Sequence, residues 1–290
     1  LERIGRICMD NHVLVVSDET EHYNFLEYCL TEAKAMLTTD GWLIKEDPSL
    51  KTFWNFVQGK DYLNSREGFL FMYEQGVRLF ELDLSRTSDG VWVCRHNWND
   101  SMGQWDGNGK KVLTEKEFRQ SKIYGKYTPM TLEDFFLLLK DYPDAYVLID
   151  SKQYSLRNYQ RTLEDYSDYV EIARNAGAGE TLDRIIPEIY NEAMFPGTAM
   201  LYSFPSYVYS LWQEYSVEEL EYIASFCKEK GIPAATVYWE YWSEETEKIF
   251  EKNGISLYVY TVNDRDQARR YISQGAEGIC TDFLTAEDLW

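Results

Sequence analysis

The chain has 290 residues, 44% of them apolar and 27% charged, which excludes a disulfide-stapled miniprotein and a disordered chain. Lys and Arg number 29 against 49 Asp and Glu, and the resulting net charge of −20 opposes binding to a nucleic-acid backbone. An acidic protein still handles an anionic substrate where a metal cation or a few basic residues invert the local field. No run approaches the roughly eighteen consecutive apolar residues of a membrane span. Five scattered cysteines (Cys8, Cys29, Cys94, Cys227, Cys280) argue against a disulfide framework, and none has the CxxC spacing of a zinc site. Their usage leans towards the cytoplasm. The chain opens at Leu1 with neither a basic stretch nor an apolar run, as expected of a processed or trimmed form. Aromatic residues reach 16%, which fits a ring-rich core first and a stacking surface for sugars or polyols second.

Residues 1–50 form an N-terminal segment of unassigned role, with a strand-like run at His12–Val16 and a helix expected near Tyr23–Leu37. From about residue 77 short apolar runs alternate with longer amphipathic ones. Strands are expected at Val77–Leu84, Val91–His96, Ala145–Asp150, Arg184–Tyr190, Ala199–Phe204, Pro233–Val237, Ser256–Val262 and Gly278–Thr281. Between them, Thr131–Asp134 and Ser216–Glu219 read as helix starts of the capping-box kind, and Gly231 and Gly254 as helix stops. Asn97–Met130 is a long insertion with a helix expected at Thr114–Gln120. Repeated strand–helix units of this length predict an α/β fold, an irregular (β/α)8 TIM barrel over residues 51–290. The irregularity lies at Ser85–Gly90, too short a link for a helical crossover.

Strand side chains alternate faces, so Glu81 and Asp83 project together. Two carboxylates on one face of an apolar strand repel each other and lose hydration, and a divalent cation is the simplest counter-charge. His96 sits at the next strand's C-terminal end, and Asp150 and Lys152 share a face at the end of the one after. Barrel enzymes place their sites at strand C-termini. The five residues together point to metal-assisted chemistry on an anionic oxygen substrate. For any single carboxylate, a structural salt-bridge cluster is the competing explanation.

Seven stretches then follow in order: Tyr62–Phe69 (YLNSREGF), Phe80–Asp83 (FELD), Asp89-Gly90 with His96-Asn97, Thr128–Asp134 (TPMTLED), Leu148–Lys152 (LIDSK), Tyr260–Asp264 (YTVND) and Gly278–Asp282 (GICTD). In this order the chain resembles the glycerophosphodiester phosphodiesterases over roughly its last four fifths, and Arg184–Asn191 (RIIPEIYN) is similar to a bacterial branch of that family. The resemblance implies a barrel of the PLC-like phosphodiesterase type. It implies hydrolysis of a glycerol- or polyol-type phosphodiester to an alcohol and a phosphomonoester. It places Mg²⁺ or Ca²⁺ on Glu81, Asp83 and Asp150 and assigns His96 as the second of two acid–base histidines. Lys152, Glu188, Tyr190 and Tyr260 are then expected to contact a small-molecule or polymeric phosphodiester.

The chain departs from the family pattern at the first histidine, whose position aligns with Thr52 or, with a small gap, Phe53, Trp54 or Asn55. Asp150 replaces a Glu, Asn97 an Asp and Glu188 a Gln. Only His12 and His22 remain besides His96, both far upstream. Two readings follow: a metal-dependent phosphodiesterase with an altered acid–base set, or a barrel without turnover that serves as a binding or regulatory domain.

Overall fold

The computed structural model describes residues 36–38, 42–43, 64–74, 79–98, 111–123, 125–152, 159–281 and 284. Among these, ten strands form one sheet in the order β2-β1-β10-β9-β8-β7-β6-β5-β3-β4. They are β1 (Met36–Thr38), β2 (Trp42–Leu43), β3 (Leu79–Arg86), β4 (Trp92–Cys94), β5 (Tyr146–Ser151), β6 (Ile185–Ile189), β7 (Val208–Leu211), β8 (Ala234–Tyr238), β9 (Ser256–Tyr260) and β10 (Gly278–Thr281). The run from β1 through β10 and back to β3 is parallel throughout, and β2 and β4 add antiparallel edges. β1 and β2 also approach β3, so the parallel run curls round on itself as a barrel does. The helices are α1 (Arg66–Glu74), α2 (Glu115–Gln120), α3 (Leu132–Lys140), α4 (Tyr159–Asn175), α5 (Met194–Ala199), α6 (Val217–Lys230), α7 (Glu244–Lys252) and α8 (Arg265–Ser273).

Local chemistry explains most boundaries. Thr114, Thr131 and Ser216 each close a capping box with Glu117, Asp134 and Glu219, which fixes where α2, α3 and α6 begin. Gly231 ends α6 at φ 67°, a conformation that a Cβ disfavours. The expected irregularity is a hairpin: β4 runs antiparallel to β3, Leu84 opposite Cys94. The aromatic surplus goes largely inside, where Tyr166, Tyr169, Tyr209 and Tyr258 are fully buried with five phenylalanines. Cys94, Cys227 and Cys280 are free and buried. Among the described residues no helix is long and apolar enough to cross a membrane.

Three expectations are corrected. Ala199–Phe204 is not a strand: α5 ends at Ala199, the chain continues in helical turns with Leu201 N–H donating to Thr198, and Met200 is 70% exposed. The strand lies further on at Val208–Leu211; a short apolar run by itself does not distinguish a buried strand from a helix end. The strand expected at Val91–His96 is only Trp92–Cys94, which leaves His96 on the following loop. Met36 and Leu37, expected to end a helix, belong to β1, which pairs with β10 inside the barrel sheet. β1 and β2 thus lie in the N-terminal segment that the sequence set apart; His12–Val16 and the rest of the expected helix lie outside the described residues.

Candidate active site

β3 sets the site. Its inward face carries Glu81 and Asp83, and the parallel register places Asp83 beside Asp150 of β5. Continuing round the sheet, β6 brings in Glu188, which is buried. Carboxylate oxygens of Glu81, Asp150 and Glu188 lie within 4.8 Å of one another. Asp83 turns towards the polypeptide instead. Its Oδ2 accepts a 2.8 Å hydrogen bond from Asn64 Nδ2, and its own N–H donates to Asn64 Oδ1 at 3.0 Å. Its Oδ1 lies 2.9 Å from Lys152 Nζ, which also bonds Asp150 Oδ2. Lys152 is held at its backbone, where its N–H donates to Leu84 O at 2.8 Å. The residues expected to bind metal therefore make different contacts: Glu81 and Asp150 cluster with Glu188, a residue expected to touch substrate, while Asp83 contacts Asn64 and Lys152.

Among the described residues, four carboxylates thus converge on a single ammonium. Burial, then the nearby Asp83, pushes Glu81 well above the usual carboxylate range, with Lys152 opposing. Burial and Asp150 push Glu188 up to about 7, although Thr236 and Ser210 hydrogen bonds and Lys152 pull the other way. Burial raises Asp83 too, but Lys152, His96 and Asn64 together outweigh it and hold that carboxyl below its ordinary value. Glu81 Oε2 and Asp150 Oδ1 are buried and have no hydrogen-bond partner. Buried, unpartnered carboxylate oxygens are expensive unless a cation completes them.

His96 stands at the edge of this cluster, close enough to Asp83 to act on its charge. Its loop is pinned from three sides: Ser85 Oγ donates to His96 O at 3.1 Å, Arg95 Nε to Asn97 O at 2.6 Å, and Trp98 Nε1 to Arg86 O at 2.9 Å. The Arg95 guanidinium also stacks 4.7 Å over the Trp98 ring. Asn97 Nδ2 lies 2.8 Å from His96 Nδ1. Tyr190 OH reaches Glu188 Oε2 at 3.5 Å, and Tyr260 ends β9. The position of the family's first histidine, at Thr52 to Asn55, lies outside the described residues.

Three residues at the site escaped the sequence reading as individual contributors. Asn64 precedes α1, whose first turn Ser65 caps by accepting from Gly68 N–H at 3.0 Å. Its φ of 43° is left-handed, a conformation Asn tolerates better than most residues. Its only sequence signal was membership of the Tyr62–Phe69 stretch. Thr236 Oγ1 donates to Glu188 Oε1 at 3.1 Å and lies 3.3 Å from Ser210 Oγ. Their signal was two small hydroxyls on otherwise apolar strands. Because Asn64 makes both hydrogen bonds to one buried residue, Asn64→Ala is expected to destabilise the fold by about 2–3 kcal/mol in urea unfolding. A loss below about 0.5 kcal/mol would show that Asp83 does not depend on it.

A sequence model described as the glycerophosphoryl diester phosphodiesterase family matches residues 58–286. No curated protein matches the chain. Among solved structures, the fold is similar to a putative glycerophosphoryl diester phosphodiesterase from Silicibacter pomeroyi, at TM-score 0.63 and 19% identity, over 86% of this chain and 90% of that one. It is similar to a glycerophosphodiester phosphodiesterase from Parabacteroides distasonis at TM-score 0.61 and 20% identity, over 88% and 94% of the two chains. A phosphodiesterase from Oleispira antarctica, in complex with the product sn-glycerol-3-phosphate, aligns at TM-score 0.58 and 15% identity, over 78% and 89%. At these identities the structures establish the shared barrel. The match of the family model over most of the chain, on a barrel with acidic residues at its strand ends, shows that this chain belongs to the glycerophosphoryl diester phosphodiesterase family, whose members are hydrolases of phosphoric diesters.

Proposed function

We propose that this chain hydrolyses a glycerol- or polyol-type phosphodiester to an alcohol and a phosphomonoester, using a divalent cation and an altered acid–base set. The observation that carries this is the group of half-buried Glu81 with buried Asp150 and Glu188, in which buried oxygens of Glu81 and Asp150 are unpartnered. Such a donor set, all oxygen and all anionic, fits a hard ion such as Mg²⁺ or Ca²⁺. Glu81, Asp150 and Glu188 would hold it, and Asp83 would act one step removed by fixing Lys152. When bound, the ion supplies Lewis-acid polarisation of the phosphoryl oxygens.

The remaining work falls to side chains. Lys152, set between Asp83 and Asp150, keeps both carboxylates oriented and offers a positive charge where the phosphoryl group gains negative charge. In the reaction a water oxygen bonds to phosphorus, the phosphorus–oxygen bond to the alcohol breaks, and one water proton ends on the alcohol. His96 is the group placed to move that proton. With Asn97 Nδ2 donating to Nδ1, the neutral ring keeps its proton on Nε2. To become a cationic acid the ring needs an acceptor at Nδ1, which Asn97 provides only by turning its amide.

The test is release of alcohol from a broad panel of phosphodiesters with Mg²⁺ or Ca²⁺, beside His96→Ala. His96→Ala should lower the rate by about 10²–10⁴. If no diester turns over above the His96→Ala background, the hydrolytic reading falls and the barrel without turnover stands. A second expectation concerns pH. Asn97→Asp puts a carboxylate against Nδ1, favours the imidazolium and should move the alkaline limb of kcat/KM upward by about one pH unit. An unmoved limb would show that His96 is not the proton donor.

A further inference from the structure

Behind the site, under α4, the outer wall of the barrel carries a polar chain that the hydrolytic step leaves without a task. Asp150 joins the interior cluster, so strand alternation turns its neighbour Ser151, the last residue of β5, outward towards α4. There the Tyr169 hydroxyl donates to Ser151 Oγ at 2.8 Å, and Ser151 Oγ donates in turn to Asp165 Oδ2 at 3.4 Å. All three residues are buried. Burial first, then the nearby Asp165, pushes the Tyr169 hydroxyl well above its ordinary range, so it remains a donor at neutral pH. A phenylalanine would fill this part of the wall without burying a hydroxyl, which costs free energy unless its hydrogen bond is made.

The same tyrosine reaches the other half of the site. Its ring packs edge-on against Trp92, centroids 4.8 Å apart, and Trp92 opens β4, the strand that leads into the His96 loop. Trp92 is held twice more: the Arg86 guanidinium lies 4.2 Å over its ring, and its Nε1 donates to Asp168 Oδ2 at 3.0 Å. Arg86 Nη2 in turn lies 2.5 Å from Asp168 Oδ2 and 3.5 Å from Asp165 Oδ1. Asp165, Asp168 and Tyr169 stand at i, i+3 and i+4, one face of α4. Through that face α4 grips β4, which leads to His96, and β5, which ends beside Asp150 and Lys152. Tyr169 touches both strands, with its ring on β4 and its hydroxyl on β5.

We propose that Tyr169 is a positioning residue: its hydroxyl, acting through Ser151, fixes the Asp150–Lys152 strand end against the His96 loop at the spacing that the cation and the phosphoryl group require. The kinetic part rests on the hydrolytic reading; the effect on cation affinity is read without turnover. Ser151 stands between a residue of the carboxylate cluster and the lysine, so one hydroxyl bond governs both through adjacent backbone. Misplacement of reacting groups by about 1 Å can cost about 10²-fold in rate. A tyrosine that only filled the wall would accept phenylalanine without consequence at the site, since its ring contacts with Trp92 and Tyr166 outlast the hydroxyl.

The experiment pairs calorimetric titration of the full chain with Mg²⁺ and with Ca²⁺ and steady-state hydrolysis of whichever diester the panel shows to be cleaved. It compares the wild type with Tyr169→Phe, Ser151→Ala and the double variant. Tyr169→Phe should weaken cation binding about tenfold and lower kcat about tenfold, with KM unchanged. Ser151→Ala should act in the same direction, and the double variant should be no worse than Ser151→Ala, since both changes remove one bond. Unchanged cation affinity in Tyr169→Phe overturns the proposal whatever happens to Tm, and so do additive losses in the double variant. Should Tyr169→Phe not fold, as judged by circular dichroism, Ser151→Ala removes the same bond from its other end and decides. The two readings can fail separately. A wild type that binds a cation but cleaves no diester loses the hydrolytic function, and the titrations still decide the role of Tyr169. One that cleaves diesters while Tyr169→Phe keeps full cation affinity retains the function and loses the positioning role. A wild type that neither binds a cation nor cleaves a diester overturns both.

Discussion

Glu81→Gln is expected to stabilise the metal-free protein at neutral pH while abolishing its response to divalent cations and its turnover. Glu81 is pushed well above the usual carboxylate range by burial first and Asp83 second. A carboxyl whose folded pKa is raised makes the native state hold more protons than the unfolded one. Stability therefore falls as pH rises from the unfolded pKa to the folded one. Asp83, held below its ordinary value, contributes in the opposite sense but only on the acid side, so above that range the sign is set by the raised groups, Glu81 and Glu188, the latter pushed up to about 7. Gln keeps the shape and removes the charge, so in chelator at pH 8 the variant should gain about 1–3 kcal/mol. Each kcal/mol corresponds to about 2–4 °C in Tm for a domain of this size. With Mg²⁺ or Ca²⁺ the order should reverse: the wild type gains stability by linkage and the variant gains little. Diester hydrolysis should drop at least about 10²-fold with loss of the metal contribution. Thermal melts at pH 5 and pH 8, with chelator and with each ion, check all of this. A Glu81→Gln protein that still gains the full cation-dependent rise in Tm removes Glu81 from the metal site.

The same residues show which features a sequence exposes. Alternation exposed the shared face of Glu81 and Asp83, because period-2 geometry holds wherever a strand holds. Capping boxes at Thr131 and Ser216 located two helix starts, since those bonds are local. Assignment of each carboxylate within the cluster was not local. Whether Asp83 or Glu188 completes the group with Glu81 and Asp150 depends on Asn64, nineteen residues from Asp83 in sequence, and on Lys152 across the sheet. Nothing in the spacing of Asn64 marks it as the residue that takes both polar groups of Asp83. Ala199–Phe204 failed for a different reason: composition there suits a strand, yet α5 ends only at Ala199 and helical turns carry the chain on to Leu201, and a short apolar run does not distinguish the two. β1 was hidden by its length, three residues whose partner is β10 at the far end of the chain.

Lys152→Met should be the most destabilising single change at the site. Lys152 is 9% exposed at its side chain, with Asp83 at 1% and Asp150 at 7%, so little solvent screens what it leaves behind. Removing one partner of a buried ion pair typically costs about 3–5 kcal/mol, because the loss lies less in the missing attraction than in the stranded charge. Here the stranded charge is plural: Asp83 and Asp150 lose their counter-ion, and Glu81 and Glu188 lose its opposing influence. Two measurements separate this account from simple loss of packing. In urea unfolding, adding Asp83→Asn to Lys152→Met should recover about 1–3 kcal/mol, a coupling that a double-mutant cycle reads directly. In the presence of Mg²⁺ or Ca²⁺, Lys152→Met should gain more stability than the wild type, since an added cation then takes over part of the ammonium's role. If the double variant is no more stable than Lys152→Met and cations rescue neither, Lys152 acts through its apolar stem, and the site loses its counter-charge. If both recoveries appear, the ammonium is what lets four carboxylates share one barrel mouth until a divalent ion arrives, and the stability lost without it measures how strongly the fold is biased towards binding that ion.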